Sequence, residues 1–274
     1  MDRRTVLIGG VAATTAAVLP SPKPKTTTTT TTTVFHSLFV WAHPDDDTLG
    51  GGAAIAAEKA SGKKVFVIMV TDGEATGVRD LLNGSGTSSW AGYTHNPTAE
   101  DYAPLTQDDI KAARRREFET AMRTLQVDEF IYLSLPDGGV DTTSVQTAVE
   151  NYAQTIVNQY GGQIDLKGHT YKTVAEDHPD HLAIGNALHN IAVDAPTWLR
   201  SSRYFILWEL HGSSFIGLTV ARVNAIGADA ARVVMAGRAY EAWAPVQGMF
   251  AVGGHSVPEA FTALFSDPHG LYHS

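Results

Sequence analysis

The stretch from Phe39 to Gly52, FVWAHPDDDTLGGG, constrains this chain more than any other segment. The apolar run from Leu38 to Trp41 predicts a buried strand. One histidine and three consecutive carboxylates follow at once, and three glycines then lead into an alanine-rich segment that predicts a helix. Polar groups directly after a strand lie at its carboxyl end, where open α/β sheets bind their ligands. The segment therefore predicts a site at this edge of a sheet.

A second cluster, Glu176 to His181, repeats the His-Pro-Asp core far along the chain. Within it His178 and His181 are three residues apart, as His43 and Asp46 are in the first cluster. Two imidazoles and a carboxylate suit zinc in a hydrolytic site, which keeps one coordination position open for water. Neighbouring carboxylates suit proton transfer and the orientation of imidazole ligands. Together the two clusters predict a mononuclear metal site.

Each cluster also has a purely structural interpretation. Residues Asp45 to Thr48 would cap the helix that follows, and a histidine just before a helix is usually a surface or capping residue. Burying three adjacent carboxylates without a cation is costly, because uncompensated buried charge shifts its pKa or destabilises the fold. The presence of both clusters favours the metal site.

Composition excludes several classes of partner and of site. The 274 residues carry a formal net charge of -9, which argues against nucleic acid or an anionic membrane surface as the main partner. There is no cysteine, so disulfides are excluded and a zinc site must consist of histidines and carboxylates. Gly50 to Gly52 suggest a dinucleotide motif, but Ile55 stands where its third Gly or Ala would fall, so we reject that function.

The first 33 residues predict an exported precursor, with a disordered N-terminal arm as the alternative. Arg3 and Arg4 precede an uncharged, apolar run over residues 6–19, which is too short to span a bilayer but suits a signal peptide. The paired arginines resemble a twin-arginine export signal. We therefore expect an export segment over 1–19, a Thr/Pro-rich linker over 20–33 and one domain over 34–274. Without a functional signal the protein would be cytoplasmic, and no stable membrane insertion is expected.

Strand and helix patterns alternate from Val34 onwards. The predicted strands and extended segments are 35–41, 64–70, 129–133, 171–175 and 203–210. The predicted helices are 48–60, 107–125, 142–158, 182–191 and 228–243. This order predicts a single α/β domain with a Rossmann-like, doubly wound, mainly parallel sheet flanked by helices. The polar stretch 72–105 predicts a functional loop, and His255, which has no partner pattern, predicts a surface role.

The motifs resemble those of the LmbE-like (PIG-L) family of zinc-dependent de-N-acetylases. The family's Ala-His-Pro-Asp-Asp motif and the acidic residue after it stand here as Ala42 to Asp47, and its His-Pro-Asp-His motif as His178 to His181. Three further segments resemble the family's sequences: Thr71 to Glu74, Arg114-x-x-Glu117 and Leu135-Pro136-Asp137. The resemblance covers most of the chain from residue 34 to about residue 188.

The resemblance implies roles for six residues. It implies that His43, Asp46 and His181 bind one Zn²⁺ per chain. It further implies that Asp45 is the general base and that His178 stabilises the oxyanion. Arg114 matches a position that helps to bind substrate in the family. Asp47 replaces the more usual Glu, and Gln126 stands where a Gly commonly follows Leu.

The implied activity is removal of the acetyl group from an N-acetylglucosamine moiety by means of a zinc-activated water. The partner would be an N-acetylglucosamine-containing small molecule or glycan, such as a cell-wall glycan or a glycopeptide antibiotic. One alternative is hydrolysis of a different amide on a sugar-thiol conjugate. Another is a secreted, metal-containing carbohydrate-binding protein without catalysis. Asp45 discriminates between the classes, because a pure binder has no need of a spare carboxylate beside the ligands.

Overall fold

One mainly parallel sheet organises the computed structural model, which describes residues 34–172, 178–207 and 218–274. The strands are β1 Phe35–Trp41, β2 Val65–Thr71, β3 Glu129–Leu135, β4 Gln163–His169, β5 Leu199–Ile206, β6 Ala221–Asn224, β7 Trp243–Ala244, β8 Met249–Phe250 and β9 His269–His273. The sheet order is β3-β2-β1-β4-β5-β9-β6, and β7 pairs with β8 separately. Strands β1 to β5 are parallel to one another, whereas β9 is antiparallel to β5 and to β6. The predicted fold class is confirmed.

Helices cover both faces of this sheet. They are α1 Asp46–Leu49, α2 Gly52–Ala60, α3 Val78–Asp80, α4 Gln107–Thr124, α5 Thr142–Tyr160, α6 Pro179–Asp194, α7 Gly227–Ala239, α8 Val252–Ser256 and α9 Pro258–Ser266, with a π-helical turn at Leu81–Ser85 and a 3₁₀ turn at Pro245–Gln247. Leu38 and Val40 of β1 pack with α5 and α6, whereas Phe39 and Trp41 pack with α2, α4, α7 and α9. Burial on both faces explains why β1 and β2 are almost continuously apolar.

Strand β4 lies where the sequence did not predict a strand. The extended segment expected over 171–175 is not the strand that leads to the second cluster, and residues 173–177 lie outside the described part of the chain. Asp165 and Lys167 alternate with apolar residues in β4, yet they are only 4% and 1% exposed. Lys63 pairs with Asp165, and Glu58 pairs with Lys167, on the neighbouring elements. These ion pairs make it possible to bury charged residues in a central strand. Because the charged residues interrupt the apolar pattern, the hydrophobic periodicity did not predict β4.

The helix predicted over 48–60 is in fact two helices, α1 and α2, which are separated at Gly50 and Gly51. A Cβ on Gly51 would lie 2.3 Å from the ring of Trp41, so the chain passes too close to β1 for any side chain there. Asp46 consequently stands at the start of a one-turn helix of its own. At the end of α4, Gln126 has a φ of 61°, a left-handed conformation that favours glycine.

The export segment and the linker lie within residues 1–33, outside the described part of the chain, and stay predictions. None of the helices in the described ranges combines the length and apolar character needed to cross a bilayer.

Candidate active site

The site lies where the strand order reverses. Strands β2 and β3 lie on one side of β1, and β4 and β5, which follow later in the chain, lie on its other side. Ligands of doubly wound sheets bind at such a switch point, beyond the carboxyl ends of the strands. His43 follows β1 closely, and His181 lies in the first turn of α6, after β4. The topology therefore brings together two clusters that are more than a hundred residues apart.

The three predicted metal ligands point one donor atom each at a common centre. His43 Nδ1 lies 3.2 Å from His181 Nε2 and 3.3 Å from Asp46 Oδ2, and His181 Nε2 lies 3.3 Å from the same oxygen. Ligand atoms at about 2.0–2.1 Å from a tetrahedral zinc are about 3.3–3.4 Å apart. The donor types and their spacing therefore fit a zinc ion. All three residues are at least nine-tenths buried and still line a cavity.

Two carboxylates orient His43. Its Nε2 lies 3.2 Å from Asp137 Oδ1 and 3.5 Å from Asp180 Oδ2. Burial alone would lower the pKa of His43, but Asp137, Asp180 and Asp46 raise it well above its ordinary value. These nearby carboxylates favour a proton on Nε2, and a neutral ring protonated there has its Nδ1 lone pair available for a metal, which is the common arrangement behind metal-binding histidines.

Asp45 lies in the same turn as His43 and Asp46 but binds a different partner. Its Oδ2 accepts a hydrogen bond from Arg114 Nη2 at 2.6 Å, and its side chain makes no capping bond to α1. Its φ of 127° is rare for a residue with a side chain, and such strain concentrates at functional sites. Burial raises the pKa of Asp45 to about 7, although Arg114 opposes this. A carboxylate poised near neutral pH on the cavity wall suits a general base.

Arg114 fixes this turn from α4. Arg114 is 5% exposed, and its guanidinium donates to the carbonyl oxygens of Pro44 and Gly73, at 2.8 and 2.7 Å, as well as to Asp45. The structure thus gives Arg114 a role in positioning the predicted base. Because Arg114 also lines the cavity, its predicted role in substrate binding stays a prediction.

His178 is the N-cap residue of α6 and lines the same cavity. Its Nδ1 accepts the backbone N–H of Asp180 at 3.2 Å, so the proton of the neutral ring is on Nε2. Burial lowers the pKa of His178, and the nearby His43 and His181 lower it further, which favours the neutral ring. His178 can therefore donate a hydrogen bond without carrying a positive charge.

The cavity has a volume of about 550 Å³, within the range of roughly 300–1,000 Å³ that is typical of small-molecule sites. Beyond the groups described above, its lining includes Ala75, Thr76, Gly77, Leu207, Ser256 and Val257. The first three follow β2, and the last three belong to the final third of the chain. Residues from several separate regions of the sequence therefore form one site.

The family model described as GlcNAc-PI de-N-acetylase, PIG-L, matches residues 38–192, more than half of the chain. The chain belongs to the PIG-L family. A 1D-myo-inositol 2-acetamido-2-deoxy-alpha-D-glucopyranoside deacetylase of Mycolicibacterium vanbaalenii is 30% identical over 208 residues, which cover 72% of this chain and 66% of that protein. The chain thus spans just under two thirds of that relative's length.

Solved structures share the fold of this PIG-L protein. A deacetylase of the teicoplanin biosynthetic pathway has a TM-score of 0.58 at 15% identity, and the match covers 87% of this chain and 96% of that one. The 4-carboxy-2-hydroxymuconate hydratase of Pseudomonas putida KT2440 has a TM-score of 0.55 at 17% identity, with 84% of each chain covered. At these identities the likeness shows the fold alone, and the fold by itself does not fix the reaction.

His169, the last residue of β4 in this PIG-L protein, is a site residue that the sequence did not reveal. Its Nε2 accepts the backbone N–H of Ala42 at 3.0 Å and lies 3.4 Å from Asp46 Oδ2. Its ring stacks on His181, with centroids 4.2 Å apart. Asp46, His169 and His181 form an alternative donor set, but the N–H of Ala42 already occupies the Nε2 lone pair. His43 is therefore the better third ligand, and His169 orients His181.

Gly185 of α6 lies one turn after His181, and a Cβ there would stand 2.1 Å from the carbonyl oxygen of Thr170. We expect Gly185→Ala to reduce the free energy of unfolding by about 1–3 kcal/mol, because the overpacking exceeds the gain in helix propensity. A displaced α6 should also shift His181 and lower metal content. Urea unfolding and metal analysis measure both effects. Asn186→Ala, at a half-buried position of the same helix, is the control, and an unchanged midpoint for Gly185→Ala would contradict this packing.

Proposed function

We propose that this protein is a metal-dependent hydrolase that removes the acetyl group from an N-acetylglucosamine moiety of a glycoconjugate. The observation that carries the proposal is one cavity in which three donor atoms with zinc-like spacing adjoin a buried carboxylate and a neutral histidine. A binding protein has no use for the buried, strained Asp45 beside the ligands. Membership of the PIG-L family and the relative named as an N-acetylglucosaminyl-inositol deacetylase support this reaction.

Different residues of the site bind the metal, transfer the proton and stabilise the oxyanion. When held by His43, Asp46 and His181, a zinc ion supplies Lewis-acid polarisation and makes water more acidic near neutral pH. Asp45 takes a proton from the water that attacks the acetamide carbonyl carbon. His178 donates its Nε2–H to the carbonyl oxygen as negative charge develops there. The proton on Asp45 then passes to the amide nitrogen as the C–N bond breaks, which yields acetate and a free amine.

We further propose that the protein is exported, on the basis of Arg3, Arg4 and the apolar run that follows them. Export favours a cell-wall glycan or a glycosylated natural product over a cytosolic thiol precursor. The relative from Mycolicibacterium vanbaalenii favours a second candidate, an N-acetylglucosaminyl-inositol of smaller size. Both candidates place the same acetamido sugar at the metal site and differ only in the group attached to it.

Release of acetate tests the reaction. The purified protein is incubated with N-acetylglucosamine, its inositol glycoside, teicoplanin and an acetylated sugar-thiol conjugate, with and without a chelator. We expect acetate from at least one of the conjugates, loss of that activity with the chelator, and recovery when zinc is added back. Activity that survives complete removal of metal would contradict the mechanism. Absence of acetate release from the whole panel would contradict the function.

A further inference from the structure

Part of the cavity wall lies outside the region that the family model matches, which ends at residue 192. Ser256, the last residue of α8, and Val257 line the cavity together with the metal donors and Asp45. Ser256 is exposed, whereas Val257 is half-buried and packs against the hydrophobic core. A substrate larger than the acetamido group itself must fit beside them.

Helix α8 has only five residues, and a helix this short has little stability of its own. Its position therefore depends on the contacts that hold it. The backbone N–H groups of Val252 and Gly253 donate to the two side-chain oxygens of Glu117, at 2.6 and 3.1 Å. Glu117 is 2% exposed and occupies α4 three residues after Arg114. One turn of α4 thus holds the predicted base through Arg114 and the cavity wall through Glu117.

The loop predicted to be functional holds α8 at another point. Ser88 Oγ forms a hydrogen bond of 2.8 Å with His255 Nδ1, and both residues are buried. The ring of His255 also contacts Trp90 and Trp243, with centroids 4.7 and 5.8 Å apart. The predicted surface role of His255 is wrong. Contacts from two separate regions fix the helix, and Ser256 and Val257 are therefore presented at a defined place.

We propose that Ser256 and Val257 determine how large a group the substrate carries on its N-acetylglucosamine, and that Glu117 positions them. This inference deepens the proposed function, on which it rests. Small side chains here leave room beside the acetamido sugar, and a larger one would exclude a bulky conjugate without touching the metal donors. Glu117 is a positioning residue, since its bonds reach the wall through backbone N–H groups.

Ser256→Phe tests the first half, because an exposed position accepts the larger ring without a change in the core. Binding is measured by calorimetry in the Asp45→Asn protein, with N-acetylglucosamine and teicoplanin as ligands. We expect Ser256→Phe to weaken teicoplanin binding by about tenfold or more and to change N-acetylglucosamine binding by less than about twofold. Ser266→Phe, the same exchange at an exposed position of α9 outside the cavity lining, should change neither.

Three results would each overturn this half. They are an equal loss of affinity for both ligands in Ser256→Phe, unchanged teicoplanin binding in that variant, and no binding of either ligand by the protein with Ser256 intact. If Ser256→Phe weakens teicoplanin binding selectively but the wild type releases no acetate from either ligand, the proposed function would be refuted and the inference would stand. Acetate release from both ligands by Ser256→Phe at wild-type KM would refute the inference alone.

Glu117 is tested by amide hydrogen exchange. We expect Glu117→Leu to accelerate exchange at Val252 and Gly253 by at least about tenfold, since both N–H groups lose their acceptor. Glu117→Gln keeps one acceptor oxygen and should restore part of the protection and part of the preference between the two ligands. Wild-type exchange at both amides in Glu117→Leu would overturn the positioning role. If that variant does not fold, wild-type exchange and ligand preference in Glu117→Gln would overturn it.

Discussion

Replacement of Asp45 by asparagine is expected to lower kcat by about 10²–10⁴-fold, the usual contribution of a general base. Asparagine keeps the shape of the side chain but cannot accept the proton of the attacking water. The proposed metal ligands are separate side chains, so zinc content should remain near one per chain. Steady-state kinetics of acetate release and metal analysis on the same preparation measure the two quantities.

Asp47→Asn is the matched control for this prediction. The Asp47 carboxylate accepts hydrogen bonds from Thr48 Oγ1 and Tyr240 OH, both at 2.6 Å, and from the backbone N–H of Asp45 at 3.2 Å, and it does not line the cavity. Asparagine keeps one acceptor oxygen, and the Thr48 hydroxyl can accept from the new amide, so activity should change only slightly. Near-wild-type kcat in Asp45→Asn with zinc bound would remove Asp45 as the base. An equal loss of kcat in Asp47→Asn would indicate that activity depends on the structure of the whole turn and not on one carboxylate.

Replacement of His181 by alanine is expected to abolish stoichiometric zinc binding and to reduce kcat/KM by several orders of magnitude. A catalytic zinc site uses three protein ligands, and two remaining ligands hold the ion weakly. Loss of zinc also removes the polarisation of the carbonyl and the increased acidity of water. Metal analysis after dialysis and acetate release with added zinc measure the effect.

His189→Ala is the control for His181→Ala. His189 lies on the same helix and is half-buried, but it stacks on Tyr171, with centroids 3.9 Å apart, and does not line the cavity. It should retain zinc and activity. Full zinc occupancy in His181→Ala would show that another donor completes the site.

Much of the fold was predictable because its signals are local. The continuous apolar runs at β1 and β2 reflect burial on both faces of the sheet, and Thr106 with Asp109 forms the capping box that starts α4 at the predicted residue. Glycines follow the first motif, and the structure shows why one of them is needed, because Gly51 lies against Trp41. Strand β4 was missed because the pairing of Asp165 and Lys167 with distant residues is invisible to periodicity.

The sequence by itself determined the donor types, the two clusters that supply them and the fold class, because each depends on residue identity and short spacing. Only the tertiary structure decided that His43, Asp46 and His181 meet within 3.3 Å of one another, that Arg114 binds Asp45, and that the final third of the chain completes the cavity. Those relations join residues that are remote along the chain. They exist because parallel strands β1 and β4 lie side by side and because α4 bonds both to the first motif and to α8.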